Sequence, residues 1–341
     1  MRALLAPILR FLDSVEERFD ASETARSQSA QLFRRIVGMG VMLAAVLVGG
    51  WRTIGSGALS PFVVLMLFIG FAIYQNQVGR FLRDWSPVAL MFLIYGIALE
   101  LVEVVNMPIW YSPQADADRV VGLGTVPSVA LQGWLDAAHN APLAVLSALA
   151  YMSHFFVPVM FGFYVWYWRR GVGFNALMWT YITVSFMAAV VYVLLPAAPP
   201  WMAAQQGTIP PVVDVIKDGL QTIGFDTLAR LKGDTSAMYL TAAAFPSIHA
   251  AFPTISVLIA RRYHMPRWVQ TALVAHLCVI WFTIVYTGEH YVIDIAGGVA
   301  FAFAAWWIVQ RVSARIGTPI ARIEPASDAV AAPAGEARQA A

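Results

Sequence analysis

Long apolar stretches recur along this chain of 341 residues, and they constrain its fold more than any other feature. A helix needs about 20 mostly apolar residues to cross a bilayer. Eight stretches approach or reach that length, at about 36–54, 58–77, 86–105, 142–168, 175–195, 246–263, 268–288 and 291–311. Only 12% of the residues are charged, whereas a soluble domain carries about a quarter. The sequence therefore predicts an all-α polytopic membrane protein with about eight transmembrane helices.

The two ends of the chain lack such stretches. In residues 1–35, Leu5, Ile8 and Leu12 recur at three- and four-residue spacing, which predicts an amphipathic segment on the membrane surface. A solvated helix packed on the protein's own loops is the alternative. The first apolar stretch begins after more than thirty polar or amphipathic residues. We therefore expect no cleavable signal peptide. Residues 312–341 are rich in Ala, Pro and Glu without apolar periodicity, which predicts a disordered tail.

Arginines mark alternate connections between the apolar stretches. Those before the first stretch and after the second, fourth, sixth and eighth are Arg26, Arg34, Arg35, Arg80, Arg83, Arg169, Arg170, Arg261, Arg262, Arg267, Arg311 and Arg315. Cytoplasmic connections are enriched in Lys and Arg, so eight spans place both termini in the cytoplasm. The longer, more acidic connections at 106–141 and 196–245 then face outside. The formal net charge of +2 gives no indication of a nucleic-acid partner.

The first motif that carries chemistry is Pro246-Ser247-Ile248-His249, at the outer start of the sixth stretch. Proline is well tolerated in the first turn of a helix, whose N–H groups lack partners within the helix. Such a helix start is a ready site for an anion, and Ser247 adds a hydroxyl. We therefore expect a phosphate to bind here, with His249 beside it.

The second motif is Thr287-Gly288-Glu289-His290-Tyr291-Val292-Ile293-Asp294, between the seventh and eighth stretches. Residues four apart on a helix share a face, so Asp294 is expected to hydrogen-bond His290. That bond would fix the imidazole tautomer and leave the other ring nitrogen to act as a nucleophile. The arginine pattern places this motif on the same outer face as His249.

Two other interpretations of these three residues stay open. A His–Asp pair can simply join two helices within a membrane. Two imidazoles and a carboxylate also suit zinc, although the lack of further ligands and the anion-binding helix start argue against a metal. The single cysteine, Cys278, excludes a metal cage built from cysteines.

In their order, spacing and topology, the two motifs resemble those of the type 2 phosphatidic acid phosphatase superfamily. Further stretches resemble the branch that contains inositol phosphorylceramide synthases and their bacterial relatives: Asp118-Arg119, Val126-Pro127-Ser128, Leu131-Gln132, Ser153–Pro158 and Leu195–Trp201. The resemblance covers residues 86–311, which it implies to be a six-helix catalytic core, with residues 36–85 as two additional spans. We expect a bacterial plasma membrane, with the active site on the extracytoplasmic side.

The resemblance implies a role for each residue of the site. His290 would take the phosphoryl group as a phosphohistidine, and Asp294 would orient it. His249 would protonate the leaving oxygen and then deprotonate the acceptor. Neither a metal nor another cofactor takes part in this scheme.

The chain departs from the phosphatase members where they clamp phosphate with basic residues. No Lys or Arg occurs at 194–201, and Ile284 stands where those members carry an Arg. The departures favour transfer of a phospho-headgroup from a phospholipid donor to a lipid acceptor. Hydrolysis of a phosphatidate- or polyprenyl-phosphate-type substrate, with water as acceptor, is the alternative. A lipid transporter or scramblase is a third reading, although no internal repeat supports it.

Several residues are candidates for binding the substrate. The phosphate would be bound by Ser247 and by cationic groups among Arg119, Lys217, Arg230 and Lys232. Glu103, with Glu100 one turn before it, would bind a polyol headgroup or simply reach the interface. His154 lies inside a predicted span, where a supporting role at the site and a packing role are equally plausible.

Overall fold

This computed structural model describes residues 35–41, 69–71, 73–75, 77–169, 173–226, 229 and 242–316. Regular structure within these ranges is α-helical, which confirms the predicted class. The helices are α1 (Val78–Val105), α2 (Pro113–Val121), α3 (Pro127–Trp134), α4 (Ala141–Tyr167), α5 (Phe174–Leu194), α6 (Pro200–Gln205), α7 (Val215–Thr222), α8 (Ile248–Arg262), α9 (Arg267–Tyr286) and α10 (Val292–Ile316).

Among the described helices, α4, α5, α9 and α10 are long and apolar enough to cross a membrane. They match four of the predicted stretches and confirm a membrane protein. The third stretch lies within α1, which begins eight residues earlier than predicted. Of the stretches 36–54 and 58–77, the structure describes only 36–41, 69–71, 73–75 and 77. The rest of both stretches, most of the segment 1–35 and most of the tail 312–341 lie outside the described residues. The total of eight spans therefore stays a prediction.

Helix α8 is the centre of the bundle. It packs against α4, α5, α9 and α10, and small or β-branched side chains such as Ala251, Ile255 and Ile259 are fully buried along it. With 15 residues it measures about 22 Å, shorter than the roughly 30 Å of a bilayer's hydrocarbon core. Ser247 and Ala250 at its start are fully buried too, so the first turn of α8 lies inside the protein.

Four short helices cover the end of the bundle where α8 begins. Helix α2 packs on α10, α3 on α9 and α7 on α4, while α6 follows the end of α5. The expected helical piece within 106–141 is thus present as α2 and α3. Around Trp110, Ala197 and Ala243, three extended segments pair through two isolated parallel bridges. The side chain of Gln132 joins this cap to the bundle, since its Nε2 donates to the carbonyls of Val213 and Tyr286 at 3.0 and 2.9 Å.

Candidate active site

His249 and His290 come together where α8 begins and α9 ends. His249 Nδ1 lies 3.1 Å from His290 Nε2. Ser247 caps α8, because its Oγ accepts a hydrogen bond from the N–H of Ala250 at 3.2 Å. His249 therefore occupies the first turn, as predicted, and His290 lies in the connection just before α10.

The second ring nitrogen of His290 is fixed by a backbone carbonyl. His290 Nδ1 lies 2.9 Å from the carbonyl oxygen of Ala244, which can only accept a hydrogen bond. The proton of a neutral His290 therefore resides on Nδ1, and Nε2 presents a lone pair towards His249. His290 is buried, with 4% of its surface exposed, so water has little access to that lone pair.

The Ala244 carbonyl is held in place by the paired extended segments. The N–H of Ala244 donates to the carbonyl of Ala197 at 3.1 Å, and Ala197 N–H donates to Ala242 at 2.9 Å. Ala197 belongs to the stretch Leu195–Trp201, which contains no Lys or Arg. In the described geometry this stretch contributes backbone pairing that fixes the orientation of the His290 ring.

Asp294 lies on the Nδ1 side of His290, away from His249. Its Oδ2 is 3.6 Å from His290 Nδ1, longer than an ordinary hydrogen bond. The same oxygen accepts the N–H of Tyr291 at 2.8 Å. Asp294 is fully buried, so its charge acts on His290 with little screening by water. The shortest contact of Nδ1 is thus with Ala244, where the sequence had suggested Asp294.

A second carboxylate caps the helix that carries Asp294. Asp118 reaches from α2 to the start of α10, where its two oxygens accept the N–H groups of Val292 and Ile293, each at 2.9 Å. Burial raises the pKa of Asp118, and the two N–H bonds oppose that rise. Negative charge at a helix N-terminus is favourable, so Asp118 fixes the first turn of α10 and the position of Asp294.

The start of α8 and the first turns of α10 approach closely. The N–H of Ser247 donates to the Asp294 carbonyl at 3.1 Å. A Cβ atom added to Gly298 would lie 2.2 Å from the Ser247 carbonyl oxygen. Only glycine fits at this crossing, and the contact brings the two motifs together.

One face of α4 completes the surroundings of His249. The rings of Tyr151 and His154 lie 4.8 and 4.1 Å from its ring, measured between centroids. Phe155 approaches edge-on at 6.2 Å. The sequence left the role of His154 open, and nothing in it pointed to Tyr151 or to the Ala244 carbonyl. Asp118 was noted only because the stretch Asp118-Arg119 resembles the family.

The predicted phosphate ligands fall into three groups. Ser247 adjoins the site, but its side chain is buried and engaged in capping α8. Arg119 bonds Asp116 and the Thr208 carbonyl, and Lys217 lies in the first turn of α7 near Asp218. Arg230 and Lys232 lie outside the described part of the chain, as does the side chain of Glu103, which was predicted to bind a polyol headgroup or to reach the interface. Phosphate binding by these residues stays a prediction.

The three site residues do not converge on one point. His249 faces Nε2 of His290, whereas Asp294 approaches Nδ1. Metal ligands must all point at one ion, and His290 separates the other two. The described residues contain no group of three His, Cys, Asp or Glu placed to hold a metal ion. The arrangement suits a nucleophile with a proton donor on one side and an orienting carboxylate on the other.

Comparison with known proteins agrees with this geometry. Residues 115–308 match the PAP2 superfamily, and the chain belongs to it. The match spans α2 to α10 and includes the whole candidate site. The family consists of membrane-bound enzymes of the phosphatase and phosphotransferase type, which identifies this chain as a lipid phosphatase or phosphotransferase.

Among curated proteins, the chain is similar to the phosphoinositol dihydroceramide synthase of Bacteroides thetaiotaomicron. The two are 26% identical over 175 residues, which cover 49% of this chain and 56% of the relative. The chain thus matches little more than half of that protein's length. No solved structure matches the chain significantly.

Proposed function

We propose that this protein transfers a phospho-headgroup from a phospholipid to the hydroxyl of a second lipid, through a phosphohistidine on His290. The observation that carries the proposal is the pairing of the His290 Nε2 lone pair with His249 Nδ1 at 3.1 Å, while Ala244 holds Nδ1. The relative named as a phosphoinositol dihydroceramide synthase supports transfer to a lipid of the ceramide type.

In the first step, the Nε2 lone pair of His290 attacks the phosphorus of the donor. The N–P bond forms as the bond from phosphorus to the diacylglycerol oxygen breaks, and that oxygen takes the Nδ1 proton of a cationic His249. The ring of Tyr151, stacked 4.8 Å from His249, favours this cation. The buried carboxylate of Asp294 offsets the positive charge that develops on His290.

In the second step, the proton flow reverses. Neutral His249 takes the proton of the acceptor hydroxyl, whose oxygen attacks phosphorus as the N–P bond breaks. His290 recovers its lone pair, and His249 is again cationic. Because the two ring nitrogens lie only 3.1 Å apart, the rings must separate to admit the phosphate.

The charge of the phosphate supports a diester donor. A phosphodiester carries one negative charge, whereas a monoester carries up to two near neutral pH. The matching stretch 194–201 has no basic residue, and a single charge needs fewer cations. We propose that the Ile248 and His249 N–H groups at the start of α8 bind it, with Lys217 and Arg119 as further candidates.

The bundle's charges support an active site on the extracytoplasmic side. Helix α8 begins at the site and ends at Arg261 and Arg262, and α10 runs from the site to Arg315. Arginine-rich ends face the cytoplasm. We propose six spans, α1, α4, α5, α8, α9 and α10, preceded by the two apolar stretches at 36–54 and 58–77. With Arg261 at the inner interface, α8 would place the site about 8 Å below the outer rim of the hydrocarbon core.

The experiment uses purified full-length protein with phospholipids labelled on phosphorus and a panel of acceptor lipids. We expect the label in a new lipid, and an acid-labile phosphoenzyme after rapid quenching. His290→Ala should abolish both. Asp294→Asn should keep the Tyr291 contact but slow phosphoenzyme formation by about 100-fold or more, since the charge that stabilises the imidazolium is lost.

Each alternative gives a different result. Free phosphate or a free phospho-headgroup, with every acceptor unused, would identify a phosphatase. Full activity in His290→Ala would refute the phosphohistidine. Asp136→Asn, at an exposed carboxylate after α3, is the matched control and should leave the rates unchanged.

A further inference from the structure

A polar cluster continues from His249 between the apolar faces of α4 and α9. His154, on α4, lies against His249, with 4.1 Å between the ring centroids and 38° between the ring planes. Its neighbour Ser153 bonds His276 of α9, with 2.9 Å between Oγ and Nε2. The mechanism proposed above uses none of these three side chains.

Two nitrogens of this cluster are buried without a hydrogen-bond partner. They are Nδ1 of His154 and Nδ1 of His276, judged within the described part of the chain. Polar groups inside a membrane are costly unless they are paired, and those that persist generally serve function. Two unpaired imidazole nitrogens, one of them in the ring that contacts His249, therefore indicate a site for polar groups of a ligand.

The hydrogen bonds of Ser153 define what His276 can bind. Ser153 Oγ also lies 2.6 Å from the Ala150 carbonyl, which can only accept. The single hydroxyl proton is therefore directed to Ala150, and His276 Nε2 must donate to Ser153 Oγ. In that tautomer His276 Nδ1 carries a lone pair, and its missing partner is a hydrogen-bond donor.

We propose that Ser153, His154 and His276 form the polar subsite for the acceptor lipid, beside the His249 that deprotonates it. This inference rests on the proposed transfer reaction. The subsite takes a lipid that carries a second donor, an amide N–H or a further hydroxyl, next to its reactive hydroxyl. A diacylglycerol lacks that donor because its ester groups only accept. The cluster thereby distinguishes the acceptor from the diacylglycerol that leaves after the first step.

The test measures acceptor and donor steps separately on the full-length protein. The acceptors are an N-acyl amino alcohol and its N-methyl amide, which lacks the N–H. The variant is His276→Gln, whose amide reaches the Nε2 position and can still donate to Ser153 but has no acceptor at Nδ1. Cys278→Ala, two residues along the same helix at an exposed position, is the matched control.

We expect His276→Gln to raise the KM for the N-acyl amino alcohol about tenfold, the effect of one lost hydrogen bond. Phosphoenzyme formation from the donor should keep the wild-type rate. The preference for the N–H acceptor over its N-methyl analogue should disappear in His276→Gln and persist in Cys278→Ala.

The outcomes separate this inference from the proposed function. Wild-type protein that transfers nothing to any acceptor refutes the reaction and the subsite with it. If the wild-type protein transfers the headgroup with equal KM to both acceptors, the subsite alone is refuted. This comparison uses only wild-type protein, so it does not depend on the folding of a variant. A His276→Gln variant that slows the donor step as much as the acceptor step would show a structural role instead.

Discussion

At the scale of single residues, the chemistry depends on which nitrogen of His290 carries the proton. The Ala244 carbonyl holds that proton on Nδ1 at 2.9 Å, and the buried Asp294 carboxylate lies on the same side. Nε2 is then left with its lone pair directed towards His249. The direction of the proposed nucleophile is thus set by a backbone group, and in the proposed mechanism Asp294 contributes mainly charge.

Asp118 offers a residue-scale prediction because it acts on the site only through α10. Replacing it by Ala leaves the Val292 and Ile293 N–H groups without their acceptor. Each loss of this kind costs about 1–3 kcal/mol, so Asp118→Ala, which removes two such bonds, should lower the free energy of unfolding by about 2–6 kcal/mol. The rate of phosphoenzyme formation should fall as well, since Asp294 lies in the same turn. Thermal unfolding in detergent and quenched turnover measure the two effects.

Asp116→Ala is the control for this prediction. Asp116 lies on the same helix, but it is exposed and pairs with Arg119 at the surface, where an ion pair contributes about 0–1 kcal/mol. If both variants lost the same free energy of unfolding, α2 would be sensitive to any substitution, and the contact of Asp118 with the start of α10 would have no special role.

The candidate site residues could be named from the sequence, whereas the groups that hold them in position could not. His249, His290 and Asp294 stand in short motifs, which made them candidates, and their roles stay a prediction. The Ala244 carbonyl has no sequence signature, because every residue has a backbone carbonyl and only the fold decides which of them contacts His290. Asp118 caps a helix that begins 174 residues away in sequence, and such a contact follows from tertiary packing rather than from local pattern.

At the scale of elements, the site exists because α8 and α10 cross with almost no space between them. The Ser247 backbone touches α10 both at Gly298 and through the Asp294 carbonyl. Hydropathy predicted both helices, but it could not predict this crossing, because a glycine in an apolar stretch does not by itself indicate a close contact between two helices. The crossing makes the distance from His249 to His290 a consequence of helix packing.

Gly298→Ala tests the crossing. The added Cβ would lie 2.2 Å from the Ser247 carbonyl oxygen and 3.1 Å from the Ala250 Cβ, so the helices must move apart. We expect a loss of about 1–3 kcal/mol in the free energy of unfolding and about 100-fold in turnover, because small misplacements of reacting groups are costly. Gly133→Ala in α3 is the matched control, because its Cβ meets nothing within 4 Å. It should leave turnover unchanged and raise stability by up to about 1 kcal/mol.

At the scale of the whole molecule, hydropathy predicted where the long apolar helices and the shorter central helix lie along the chain, but not that α8 is the helix that the others surround. Helices α4, α5, α9 and α10 meet the length and hydropathy of a span. Helix α8 has 15 residues and packs against α4, α5, α9 and α10, with the candidate site at its first turn. A helix that is buried in protein need not reach across the hydrocarbon core, and a sequence window cannot distinguish burial in protein from contact with lipid.

The last prediction concerns which end of the bundle faces outside. Gln205, at the end of α6, and His264, between α8 and α9, are both exposed and lie at opposite ends of the bundle. In a Cys278→Ala background, Gln205→Cys should react with an impermeant thiol reagent in intact cells. His264→Cys should react only after the membrane is permeabilised, since Arg261, Arg262 and Arg267 flank it and arginine-rich connections stay in the cytoplasm. Labelling at 264 but not at 205 would invert the topology, and the site would then draw its lipids from the inner leaflet.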